Sequence, residues 1–268
     1  MPGFGLTAGV TLTYLGLIVL APLAALVWKA AGLGPAEFWR GISSERALAT
    51  YRLTLGCAVA ATAANAVVGA LFAWTLARYR FPGHRLLDAL IDLPFALPTA
   101  VAGITLSAIF APTGWAGRLL EPLGVKVAYA PAGVAVAMAF TSLPFVVRSL
   151  QPVIEDLDPA EEEAALSLGA AEWRTFQRVL APALAPAFAS GCAMAFARAL
   201  SEYGAIIFIA GNVPLRTEVT TLLTYIRLEE FDYPSAAALA SALLGLSFVT
   251  LFAVNALQLW GRRRETRR

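Results

Sequence analysis

The sequence predicts an all-α polytopic membrane protein with six transmembrane helices. Three observations carry this. Of 268 residues, 59% are hydrophobic and only 14% are charged, against roughly a quarter charged in a soluble domain; the mean hydropathy is +0.69. Several apolar runs reach the roughly 20 residues that a helix needs to cross about 30 Å of hydrocarbon. Those runs are continuous and rich in Ala, Leu and Gly, without the alternation of barrel strands. So little charge leaves too little polar surface for a water-soluble globule. A net charge of +2 suggests no nucleic-acid partner.

The six spans are Thr7 to Trp28, Leu53 to Ala77, Leu93 to Ala111, Ala130 to Val147, Ala183 to Leu200 and Ala236 to Trp260, read as one transmembrane domain over 1–268. The first lacks a positive leader region and is too long for a signal core, so it reads as a span. Pro94 and Pro98 open the third span, Pro144 sits late in the fourth, and Pro182 and Pro186 open the fifth. Each removes a backbone donor. Such breaks persist in lipid only where protein or a wet cavity satisfies the freed groups. A further apolar stretch, Tyr203 to Gly211, is too short to cross alone; it reads as re-entrant or as part of a broken span. Cys57 and Cys192 both fall in apolar runs and read as buried thiols.

Orientation follows Lys and Arg. The densest basic cluster is Arg262, Arg263, Arg264, Arg267 and Arg268, which places the tail on the inner side of the membrane. Six spans then place the N-terminus there too.

The loop between spans four and five, residues 148–182, carries the most information. Asp158 is set to cap a helix that starts at Pro159, with Glu161 as the return half of a capping box. Acidic residues crowd the first turn, where the helix dipole favours them. Gly169 suits a left-handed stop. A second short helix with Trp173, Phe176 and Leu180 on one face then leads to Pro182. The product is helix, glycine elbow, helix. Ala164, Ala165 and Gly169 are small enough for another backbone to come close. The alternative is an amphipathic helix lying on lipid; the acidic face is a poor ligand for an anionic leaflet and favours a protein partner.

The spacing Glu163-Ala164-Ala165, Gly169, Val179, Pro182 resembles the coupling loop of the membrane subunits of bacterial ABC importers. Ala181 stands where that family usually has Leu. Arg78-Tyr79-Arg80-Phe81-Pro82-Gly83 and Leu87 to Pro94 look like the sulfate and molybdate permeases, as do Leu143 to Arg148 and Gln151-Pro152-Val153. The stretch from Ala197 to Asn212 and the run Leu228 to Tyr233 are similar to the T-type subunit of sulfate/thiosulfate importers, with Ser201 where those relatives commonly have Gly. The resemblance implies a type I ABC importer permease bundle in a bacterial cytoplasmic membrane. Half of an anion translocation path would lie in this chain, coupled to a cytoplasmic ATPase through Glu163, Ala164, Ala165, Gly169, Val179 and Pro182. It implies as partners a second homologous permease subunit, two copies of the ATPase and an extracytoplasmic sulfate-binding protein. ATP and Mg would be held by the ATPase, with no cofactor in this chain. A molybdate or tungstate importer permease is the alternative.

Arg198 and Glu202 stand four residues apart on one helix face at the end of span five and can neutralise one another. Two readings stay open: a border of the anion path, together with Ser201, Tyr203 and Thr99, or a structural pair at the membrane edge. Asn65, Thr105, Ser107 and Ser190 could also meet an oxyanion, but such residues serve more often as helix-packing contacts. His84 falls in a short polar loop and reads as solvated. No glycine-rich nucleotide loop and no Cys/His set with metal-ligand spacing occurs. An intramembrane protease would need a membrane-embedded His or paired Asp; a secondary transporter would need ionisable groups at mid-membrane. Neither pattern is present.

Overall fold

Residues 3–265 are described in a computed structural model, with side-chain surroundings given as far as 252. All regular structure among them is helical. The basic tail beyond Trp260, on which the sequence-based orientation rests, lies outside the described side chains.

Helix α1 (Phe4–Ala31) is apolar all round and presents no buried residue along its most apolar stretch. Its second half lies against the last helix of the chain. The surface helix α2 (Pro35–Ser43) follows, opened by Pro35 in its first turn. Helix α3 (Glu45–Arg78) is capped by Ser44, whose hydroxyl accepts from the Ala47 N–H at 3.2 Å. That cap starts the helix two turns before the predicted Leu53. Its buried face is a run of small residues, Thr50, Thr54, Cys57, Ala58, Ala61, Gly69 and Ala73 among them, so another helix can pack close.

The predicted third span, Leu93 to Ala111, is corrected to a broken one. After α4 (His84–Ile91) and the single turn α5 (Leu93–Ala96), Leu97 adopts an extended conformation (ψ 133°), the geometry favoured for a residue before proline. Helix α6 (Thr99–Phe110) is only 12 residues, about 18 Å long and too short for the bilayer. It reaches crossing length only with Trp115–Leu123, bent from it by 42°; the regular part of that piece is α7 (Trp115–Leu120). Among the described residues five helices are long and apolar enough to cross a membrane, or six when this bent pair is counted as one span.

Helix α8 (Pro131–Glu155) runs through Pro144 and Pro152 without a stop and ends later than the predicted Val147. It lies between α3 and α10 (Glu172–Leu200), and these three form the centre of the bundle. Between α8 and α10 stands α9 (Pro159–Ser167). The single turn α11 (Ile206–Ile209), α12 (Thr220–Glu229) and α13 (Tyr233–Glu265) complete the chain. Two large apolar clusters form most of the core, with a small third one of Ala47, Leu223 and Leu239. One gathers Leu76, Val146, Val147, Leu150, Ile154 and Leu184 at the end where α9 projects, here called the elbow end. The other gathers Ala58, Ala61, Val134, Met138, Leu200, Ile206 and Ile209 at the far end.

Candidate functional site

The elbow is built from local signals. The Asp158 carboxylate accepts from the Ala160 N–H at 2.9 Å and caps α9. No hydrogen bond from the Glu161 carboxylate back to Asp158 occurs among the described residues, so the cap is one-sided. At the other end Gly169 takes φ +81°. The Gly169 N–H donates to Leu166 O at 2.9 Å and the Ala170 N–H to Ala165 O at 3.1 Å, the paired closure of a left-handed helix stop. The predicted second short helix is not separate. It is the start of α10, which passes through a wide turn at Phe176–Leu180 and continues as span five. Val179 and Pro182 therefore lie within α10, away from the tip formed by Glu163, Ala164, Ala165 and Gly169.

That tip is free. Glu163, Ala164 and Gly169 are exposed, and a β-carbon at Gly169 would meet nothing within 4 Å. Leu166, Leu168 (89% exposed) and Trp173 also present apolar surface there. Small residues beside exposed apolar ones and an acidic rim make a face suited to a protein partner.

At the far end the chain turns back after α10. Arg198 Nη2 stands 2.7 Å from Glu202 Oε2, confirming that the four-residue spacing pairs them. Glu202 is 1% exposed. Its Oε1 accepts from the Ala205 N–H at 2.8 Å and so holds the start of the short segment that carries α11. Oε2 has the ion pair but no donor in good hydrogen-bond alignment. The stretch Tyr203 to Gly211 is partly buried: Ala205, Ile206, Ile209 and Ala210 are fully covered, while Phe208 and Gly211 are exposed. It packs on α6 and α8. A β-carbon at Gly103 would fall 2.7 Å from Ala205 Cα, and one at Gly204 would overlap Thr99 Oγ1. Ser107 Oγ donates to Phe208 O at 2.8 Å, and the Tyr129 N–H donates to Ile209 O at 2.7 Å. Two backbone carbonyls of the segment are thus met by α6 and by the chain before α8, as a short segment within a membrane protein requires. Arg198, Glu202, Tyr203 and Thr99 are brought to one place.

Other expectations resolve as packing. Asn65 Nδ2 donates to Ala139 O and to Ser142 Oγ, both at 2.9 Å. Ser201 is exposed, but its hydroxyl donates to Arg198 O at 3.0 Å. His84 is not simply solvated. Its Nε2 lies 2.8 Å from Leu76 O, which requires Nε2–H and ties α4 to the last turn of α3.

Three arginines make ion pairs that were not visible in the sequence. Arg148 places all five N–H groups: on both oxygens of Asp92 (2.9 and 2.7 Å), on the side chain and carbonyl of Asp88 (2.6 and 2.9 Å), and on Gln151 (2.7 Å). This fixes α4 to α8. Arg46 grips the fully buried Glu218 carboxylate with two bonds, at 2.7 and 2.6 Å. A hydroxyl ladder of Thr50, Thr54 and Thr220 lies beside it. Arg78 pairs with Glu162 of α9. The partners are 172, 84 and about 60 residues apart in sequence, so no helical or strand period links them. On the far-end surface, the Tyr225 hydroxyl donates to Glu229 at 2.8 Å, which pushes its pKa up.

A bundle of helices long and apolar enough to cross a membrane, an exposed helix-glycine-helix elbow and a short segment packed within the bundle define the membrane component of a transporter. Comparison with known proteins agrees. Residues 65–263 match the family described as binding-protein-dependent transport system inner membrane component, and the chain belongs to that family. The sulfate transport system permease protein CysT of Escherichia coli is 52% identical over 98% of this chain and 95% of that one. The CysT protein of Synechocystis is 47% identical over 95% of this chain and 89% of its own. Among solved structures, a bacterial ABC transporter for import of the acidic polysaccharide alginate superposes with a TM-score of 0.78 at 17% identity, covering 96% of this chain and 95% of that one. That likeness establishes the importer-permease fold.

Proposed function

We infer that this chain is the multi-pass, membrane-spanning permease subunit of an ATP-driven sulfate importer. The observation that carries the reading is near-full-length identity of about half to permeases named for sulfate transport. The molybdate alternative finds no such relative among those described here. Thiosulfate, close to sulfate in charge and shape, remains within the proposed substrate class.

The chain forms half of the anion path. A second homologous permease supplies the other half, and an extracytoplasmic binding protein delivers the anion. A solved alginate relative is in complex with its periplasmic protein. The exposed tip of α9 docks on a cytoplasmic ATPase, two copies of which hold ATP and Mg. The elbow end then faces the cytoplasm, as do both termini. Arg198 borders the path. Its charge is balanced by buried Glu202, so a passing dianion meets donors without a deep electrostatic trap. Tyr203, Thr99 and exposed Ser201 stand around it.

The test is uptake of labelled sulfate into liposomes holding the four-part complex, with unlabelled thiosulfate and molybdate as competitors. Sulfate uptake that needs ATP and this chain, and that thiosulfate suppresses more than molybdate, is expected. Uptake suppressed only by molybdate would transfer the chain to the other substrate.

A further inference from the structure

The elbow helix α9 has no buried residue. Among the described residues one side-chain ion pair ties it to a membrane-crossing helix, Glu162 to Arg78, both about three-quarters buried; it otherwise lies against the first turns of α10. Without that pair, α9 would be held by this contact and by the turns at Asp156–Asp158 and Gly169, about which a short helix can pivot.

Arg78 does more than pair. Its guanidinium carbon lies 5.1 Å from the Trp74 ring centroid, one turn back on α3. Trp74 meets Phe176 of α10 edge-on at 6.1 Å, and Phe176 stacks on Trp173 at 5.6 Å. Arg78 therefore sits where three elements meet: the end of α3, the tip helix α9 and the first turns of α10. The next turn of α3 is tied down as well, through Leu76 O and His84.

Helix α3 is 34 residues without a break, about 51 Å long. Toward its other end, Cys57, Ala58 and Ala61 pack in one cluster with Ala205, Ile206 and Ile209 of the 203–211 segment. There Arg46 holds Glu218, and Thr54 accepts from the Thr220 N–H at 3.0 Å. One unbroken helix is thus anchored by an ion pair to the elbow at one end and to the region of the 203–211 segment at the other.

We propose that α3 is the strut that carries displacement of the elbow to the 203–211 segment, and that Arg78 is the positioning residue that engages it. This rests on the importer reading. It adds a route inside this subunit between the ATPase-facing tip and the path. Arg78 touches neither ATP nor anion. Its loss lets α9 swing at Gly169 while α3 stays still, so ATP is consumed with less anion moved.

The experiment uses the complete complex in liposomes, with sulfate as the transported probe and ATP hydrolysis measured in the same vesicles. The variants are Arg78→Gln, Glu162→Gln and the exchange Arg78→Glu/Glu162→Arg. Each single variant is expected to raise the ATP hydrolysed per sulfate imported by about fivefold, the scale of a partly exposed pair worth about one unit of kcal/mol. The exchange should return the ratio to within about twofold of the parent. A purely structural role would lower uptake and hydrolysis in proportion and leave the ratio unmoved, which overturns the proposal. So does an exchange no better than the single variants, or a Gln variant that fails to assemble, since the pair would then be a folding contact. A parent complex that imports no sulfate at all refutes the importer reading instead.

Discussion

Replacing Arg198 and Glu202 by glutamine, singly and together, separates a coupled pair from two neighbours. Glu202 is 1% exposed on its side chain and Arg198 is 28% exposed. Arg198→Gln leaves a carboxylate sealed in protein without its cation. Breaking a buried pair from one side costs about 3–5 kcal/mol, and about 3 is expected here because Ala205 N–H still donates to Oε1. Glu202→Gln keeps an oxygen for that N–H and leaves a guanidinium that water can reach, so about 1–2 kcal/mol is expected. The double variant carries no stranded charge and should lose about 2 kcal/mol, less than the two single losses added. The assay is equilibrium unfolding of the purified complex in detergent, with sulfate uptake measured in parallel. Uptake should stay low in the double variant even where stability returns, since the path has lost its donors. Losses that add to within about 0.5 kcal/mol, or a Glu202 variant worse than the Arg198 one, would refute the reasoning.

Three further outcomes can be checked. Gly103→Ala must push Ala205 away from α6; about 1–3 kcal/mol of overpacking, partly offset by about 1 kcal/mol of helix propensity, should lower both unfolding stability and uptake, and wild-type behaviour in both would mean the two segments do not touch. At Gly169, where φ is +81° but space is open, Ala and Leu should cost a similar amount of about 1 kcal/mol in the isolated subunit, while uptake by the complex should fall further for Leu; equal uptake would deny a partner surface at that point. Glu163→Cys, in a chain with Cys57 and Cys192 changed to Ala, should react with an impermeant thiol reagent only from the cytoplasmic face, and reaction from outside would invert the topology.

The features legible in the sequence are those set by neighbours along the chain. Asp158 before Pro159 and Gly169 ten residues on mark both ends of α9, because caps and left-handed stops are local chemistry. Arg198 and Glu202 were legible as a pair because four residues bring them to one helix face. The shortness of Tyr203 to Gly211 alone argued that it does not cross by itself, whether re-entrant or part of a broken span. Three things were not legible. The sequence marked Pro94 and Pro98 as breaks, but not that α6 begins afresh after them at only 12 residues and needs α7 to reach crossing length. Helices α2, α4 and α12 are short and are placed by contacts to other helices, so no long period announces them. The grips of Arg46 on Glu218 and Arg148 on Asp88 and Asp92 join residues whose proximity exists only once the bundle has formed. Proline was a guide in one place and not in another: the chain does break at 98, yet α8 runs through 144 and 152.

The union of the elbow's second half with span five has a mechanical meaning. Helix α10 is 29 residues long, about 43 Å from end to end. A tilt of about 10° about its middle carries each end by about 4 Å, in opposite directions, if the helix moves as a beam. Arg198 rides in its last turn. An excursion of that size exceeds the length of a hydrogen bond, so a small rocking at the base can change which oxygen atoms the arginine reaches at the top. The wide turn at Phe176–Leu180 lies near the base of the beam, and any slack it allows shortens the throw.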